Sequence, residues 1–179
     1  MTERRPSLLG RSSRDESARP LRVSPLTAAL LAVGVDIGGT KVAAGVVDRA
    51  GTVIDHVRRD TPHRSTTPDV VEDTIVDAVL DLAQRHEIHA VGIGAAGFVD
   101  ATRSHVLFSP HLSWRNEPLR EAISSRLRLP VVVENDANAA LWGEWRFGAA
   151  RGETHAVCVN LGTGIGGAIL VNGSLQRGR

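Results

Sequence analysis

The sequence has no tyrosine and only three phenylalanines and three tryptophans, so a core must come from Val, Ala, Leu and Ile; the 42% apolar content suffices for one. Its single cysteine, Cys158, excludes an internal disulfide and makes a reducing cytoplasm the simplest setting. Cys158 lies in an apolar run, where a lone thiol is most simply a core residue. No segment reaches the roughly 20 apolar residues of a membrane-spanning helix. A net charge of +1 gives no global attraction to nucleic acid or an anionic membrane, so neither is expected as a partner. Lysine is almost absent too: of 21 basic residues, 20 are Arg, and the only lysine is Lys41.

That lysine closes the run Val33-Gly-Val-Asp-Ile-Gly-Gly-Thr-Lys41. An apolar strand ends in Asp36, a Gly38-Gly39 turn follows with Thr40 and Lys41, and a second apolar strand runs to Asp48. Glycines let backbone N–H groups approach an anion, Lys41 adds a point charge, and Asp36 is a hard oxygen ligand suited to Mg²⁺. An ordinary hairpin would use the same two glycines merely to turn the chain.

Residues 1–32 differ from the rest. Arg and Ser with Pro alternate there without apolar periodicity, which predicts a disordered leader. Arg4-Arg5 hints at twin-arginine export, but the polar stretch 11–19 stands where an apolar region should be, so export is rejected. Met1 is the only methionine, compatible with an overextended start. Leu26–Val35 reads as the first buried strand with its approach.

A third strand is expected over Thr52–Arg59. Thr67-Pro68-Asp69 reads as an N-cap, a proline at the first helical position and an acid in the first turn, with Val71, Ile75, Val79 and Leu82 predicting a helix over 68–86. A strand over His89–Gly94, a loop over Phe108–Trp114, a helix over Glu117–Leu127, a strand at Val131–Val133 and a helix over Ala137–Phe147 follow. Strands His155–Leu161 and Ile165–Val171 then flank Gly162-Thr163-Gly164. The fold class is α/β with a mixed sheet: one lobe over 33–150 and the start of a second over 151–179.

Two further sites sit at strand ends, where ligands gather in open α/β sheets. Asp136, in Glu134-Asn-Asp-Ala-Asn138, emerges from a buried strand at a helix start. The commonest role of such an aspartate is an N-cap. A carboxylate held there by backbone N–H groups stays ionised and can accept a proton from an alcohol. The third site, Leu161-Gly-Thr-Gly-Ile-Gly-Gly167, is either a glycine hairpin or a second phosphate turn.

Together and in this order, these motifs resemble the ROK family of sugar kinases, in particular actinobacterial-type glucokinases. Gly92-Ile-Gly-Ala-Ala-Gly97 and Trp142-Gly-Glu144 belong to the resemblance, which runs from about Val33 to Arg179. It implies a ribonuclease-H-like, actin-like ATPase fold of two lobes closing over a hexose and ATP. It implies Asp136 as the base at the sugar 6-hydroxyl, and Asn135, Ala96 and Gly97 on the sugar. Asp36 would act on Mg²⁺ through water, with Gly38, Gly39, Thr40 and Lys41 facing Gly162, Thr163 and Gly164 across the phosphates. Homo-oligomers are usual in the family.

The family's Ser-Pro-Asn loop, whose asparagine contacts the sugar, reads Ser109-Pro-His111 here; the resemblance implies His111 at the sugar, although a lone loop histidine is more often solvated than ligating. Family members continue past the equivalent of Arg179 with a Glu-x-Gly-His element, a cysteine-rich zinc site and an adenine pocket. This chain therefore offers no zinc site, the second lobe is expected to be truncated, with apolar surface and a strand edge exposed, and the chain alone should be inactive or nearly so. The alternatives are a ROK sugar-sensing transcriptional regulator and a catalytically dead remnant.

Overall fold

The computed structural model describes residues 30–162 and 164–177; the leader apart from residues 30–32, and Thr163, lie outside them. Strands β1 (Leu31–Ile37), β2 (Lys41–Val47) and β3 (Val53–Asp60) form an antiparallel meander. β4 (Ile88–Ala95) pairs with the other side of β1 and β8 (Val131–Asn135) with β4, both parallel, giving the order β3-β2-β1-β4-β8. Alternation decides the faces. Val33, Val35 and Ile37, Val42, Ala44 and Val46, and Val91, Ile93 and Ala95 are buried. They pack with Val71, Ile75, Val79 and Leu82 of α1 (Pro68–Ala83) and with Leu119 and Ile123 of α2 (Leu119–Leu127) in one core.

The opposite face is built of small residues. Gly45, Gly34 and Gly92 stand in register on β2, β1 and β4, and beside them runs the row Ala43, Asp36, Gly94 and Glu134. The sheet thus presents a low floor from which few side chains rise, Asp36 among them.

The sequence expectations hold for the main elements, with corrections at their ends. α1 stops at Ala83 because Arg85 and His86, expected inside it, turn to Asp55 on β3 at 3.0 and 2.8 Å. His86 first, then Arg85, holds the Asp55 carboxyl well down, at about 2. Thr67 has the extended backbone of an N-cap but makes no side-chain cap bond. α2 begins at Leu119, not Glu117, which ends a strand instead. Around the expected loop, between β4 and α2, stands a small sheet that the sequence reading did not expect, of β5 (Phe98–Val99), β6 (Val106–Phe108) and β7 (Arg115–Glu117), too short to show any periodicity.

α3 (Asp136–Phe147) leads to a separate three-stranded sheet, β9 (Ala156–Leu161), β10 (Ile165–Val171) and β11 (Ser174–Leu175), ordered β11-β10-β9. Ala137 and Leu141 of α3 bury Ala168 and Leu170 of β10, with Cys158 packed against them. The other face is bare: Val157, Leu161 and Ile165 are 72%, 79% and 82% exposed, and β9 is an edge strand. The exposed apolar surface expected from the sequence is present.

Candidate active site

Because β1, β4 and β8 are parallel, their C-terminal ends open on the same side. Register sets Asp36 beside Gly94 and Gly94 beside Glu134, and Ile37 beside Ala95 and Ala95 beside Asn135. Gly94 has no side chain to hold α3 away; a Cβ there would stand 3.6 Å from that of Ala139 and 3.7 Å from Cα of Asp136. The first turn of α3 therefore settles over β4 and brings Asp136 toward Asp36. The Asp36 carboxyl is pushed above its ordinary range, first by desolvation in the cleft and then by the charge of Asp136.

Asp136 is not the helix cap. That role falls to Asn135, whose side-chain oxygen accepts from the N–H of Asn138 at 3.0 Å. Asp136 is the first helical residue, and its Oδ1 accepts from the N–H of Ala137 and from Nδ2 of Asn135, both at 2.9 Å. Among the described residues its Oδ2 has no protein donor. A carboxylate oriented through one oxygen with the other free is equipped to accept a proton from a bound alcohol. Asn135 also donates from Nδ2 to the carbonyl of Gly97 at 3.1 Å, so it ties the helix start to the β4–β5 loop. Asn135→Ala should lower stability by about 0.5–2 kcal/mol, the usual cost of a lost cap, read as a shifted urea midpoint at unchanged slope.

The β4–β5 loop and the loop after β6 meet. Ser109 donates to the carbonyl of Ala96 at 2.7 Å, and Gly97 lies so close to the next strand that a Cβ would fall 2.5 Å from the Phe108 carbonyl oxygen. His111 sits against the Gly38-Gly39 turn, its Cβ 3.1 Å from where a Gly39 side chain would begin. Neither Gly38 nor Gly39 has a positive φ; Gly39 is needed for room. The turn is held by Gly38 N–H to the Lys41 carbonyl at 3.0 Å and by Thr61, whose hydroxyl donates to the Gly38 carbonyl at 2.8 Å. Among the described residues the N–H groups of Gly39 and Thr40 have no protein acceptor, which suits an anion. Lys41 is exposed and borders a notch of about 300 Å³ with Arg58, Arg59 and Asp60.

An open cavity of about 850 Å³ lies over the glycine floor, and of the residues singled out in the sequence, Asp36 and Asp136 line it. Ala96, Gly97, Asn135, His111, Gly162 and Gly164 lie outside its lining, and the Gly162 N–H is bonded to the Gly164 carbonyl at 2.9 Å. Glu134, Arg58, Asn160 and Arg177 line the cavity without having been singled out for a role. Glu134 accepts from the backbone N–H of Asn135 and the amide of Asn138 with one oxygen, and from Arg177 at 2.8 Å with the other. It thus joins the start of α3 to the chain beyond β11. Glu134 stood inside the quoted motif; Arg177 carried no signal, being 43 residues away.

Comparison with known proteins fits this geometry. A glucokinase of Streptomyces coelicolor is 53% identical over 148 residues, 83% of this chain and 46% of the relative. The crystal structure of a ROK family glucokinase from Streptomyces griseus with glucose and AMPPNP superposes with a TM-score of 0.79 at 52% identity, covering 83% of this chain and 47% of that one. A xylose repressor of Bacillus spizizenii is 28% identical over 95% of this chain and 45% of its own length. The chain thus spans about half the length of the curated relatives it matches. The fold is that of the actin-like ATPases, and the profile of the ROK family matches residues 32–179: the chain belongs to the ROK family.

Proposed function

We propose that the chain supplies the base, one wall of the sugar pocket and the first phosphate turn of an ATP-dependent hexose kinase acting on the 6-hydroxyl of glucose. The observation that supports it most is the approach of Asp136 to Asp36 at the strand ends, one oxygen of Asp136 fixed and the other free. Asp136 takes the proton of the hydroxyl as its oxygen bonds to phosphorus. Asn135, Ala96, Gly97 and His111 bound the sugar, Asn135 chiefly by holding the Gly97 loop against the helix. Gly38–Lys41, with the N–H groups of Gly39 and Thr40 free among the described residues and the Lys41 ammonium, hold phosphate oxygens, and Gly162–Gly164 do so from the second sheet. Asp36 offers a hard carboxylate oxygen of the kind that suits Mg²⁺ and would act on it through water. Bound Mg·ATP supplies the phosphoryl group and neutralises its charge, while the protein's share is positioning and exclusion of water. Glucose and ATP are then the partners, the cytoplasm the setting and a homo-oligomer the assembly.

The test is a graft. Placing this chain's matching segment into the Streptomyces coelicolor glucokinase, in place of the aligned 148 residues, should give an enzyme that phosphorylates glucose with ATP. A folded graft that binds glucose without turnover would point instead to the sugar sensor of a regulator, a reading favoured by the repressor match over 95% of the chain. A folded graft that binds neither ligand would mark a dead remnant.

A further inference from the structure

Two neighbouring arginines on β3 have opposite surroundings. Arg59 stands opposite the buried Val42, so it faces α1, where Asp81 takes its guanidinium at 2.5 Å. Successive strand residues point to opposite faces, so Arg58 rises from the side of the glycine floor. It is exposed, and among the described residues no acceptor engages its guanidinium; Arg59 bonds only to its carbonyl.

Register sets Arg58 beside Ala43 and Ala43 beside Asp36, on the row that continues through Gly94 to Glu134. Two strand spacings, about 10 Å, separate the backbones of Arg58 and Asp36. Only the methyl group of Ala43 stands between them. Lys41, two residues before Ala43, takes the same face, opposite Asp60. Arg58 borders both spaces at this end of the sheet: the cavity of about 850 Å³ with Asp36 and Asp136, and the notch of about 300 Å³ with Lys41.

A cavity that already holds Asp36 and Asp136 repels a chain of phosphates unless positive charge stands close to that chain. Lys41 and the N–H groups of Gly39 and Thr40 supply part of it at the turn. We propose that Arg58 is a further phosphate-binding residue, which with Lys41 grips a chain of linked phosphates over Ala43. Lys41 serves as a point charge, and Arg58 offers the planar fork that matches two phosphate oxygens at once. The glycine floor leaves room for such a chain, since Ala43 raises no more than a methyl group on that row. That the chain is the triphosphate of ATP rests on the proposed hexose-kinase function.

Inorganic tripolyphosphate tests the grip on the 179-residue chain itself, with no sugar or nucleotide present. Calorimetry should show binding that Arg58→Gln weakens about tenfold, the usual order for a lost hydrogen bond between charged groups. Arg58→Lys, which keeps the charge and loses the fork, should fall between. The amide resonances of Gly39 and Thr40 should move as tripolyphosphate is added. Arg59→Gln removes the same charge one residue away on the α1 side, and should change the affinity by less than about twofold, since exposed charges at a distance are screened. Equal losses from Arg58→Gln and Arg59→Gln, an unchanged affinity in Arg58→Gln, or no binding by the unaltered chain would overturn the assignment. A graft that fails to phosphorylate glucose while these binding results hold would remove the kinase function and leave the phosphate grip standing.

Discussion

Asp136→Asn in the grafted enzyme is expected to lower glucose phosphorylation by about 10²–10⁴-fold, the usual contribution of a positioned general base, with glucose affinity changed by no more than a few-fold. The amide is the same size as the carboxylate, and its oxygen can still accept from the Ala137 N–H and from Nδ2 of Asn135, which now hold Oδ1 at 2.9 Å. The Asn135 cap bond to Asn138 does not involve Asp136, so the helix start is retained. What disappears is the ability to take a proton. The substitution also removes one of the two charges in the cleft, so the Asp36 carboxyl, held up partly by Asp136, should ionise more readily. Steady-state kinetics with glucose calorimetry separates the outcomes. Loss of turnover with binding kept identifies the base, whereas turnover above a tenth of the parent places the proton acceptor elsewhere.

Both aspartates were legible in the sequence because each stands at the end of an apolar strand, and for Asp36, within β1, alternation also fixes the face it takes. Their meeting was not. It depends on β4 lying between β1 and β8 and on Gly94 admitting α3, and register across parallel strands is set by tertiary packing. The same limit hid the Glu134–Arg177 pair and the contact of His111 with Gly39, each joining distant stretches. Asp136 was open to reading as the helix cap because Asn and Asp cap almost equally well, and adjacent residues of these two types offer no local means of choosing. The small β5–β6–β7 sheet lacked any signal, since strands of two or three residues have no period to detect. Core residues such as Ile75, Val79 and Leu82 were readable because helical spacing and burial coincide there.

Gly97→Ala should damage the sugar side more than any other single methyl group added there. At Gly34 or Gly162 an added Cβ meets no described atom within 4 Å, but at Gly97 it falls 2.5 Å from the Phe108 carbonyl oxygen and 3.2 Å from Cα of Ser109. Both obstacles are backbone, so no rotamer change relieves them. Either the β4–β5 loop or the Phe108–Ser109 strand end must move. The first movement draws the Gly97 carbonyl from Asn135; the second pulls Ser109 from the Ala96 carbonyl and carries His111 off the phosphate turn. Overpacking of this kind costs about 1–3 kcal/mol of stability. A displacement near 1 Å at a positioning element costs about 10²-fold in rate. The graft carrying Gly97→Ala should therefore remain folded, with a lower urea midpoint, and lose about two orders of magnitude in kcat/KM for glucose. Its binding of a nucleotide analogue should change far less, because Thr61, just past β3, still holds Gly38 and Thr40. Equal losses for sugar and nucleotide would mean that the two loops move as one body, and an unchanged kcat/KM would remove Gly97 from the sugar wall.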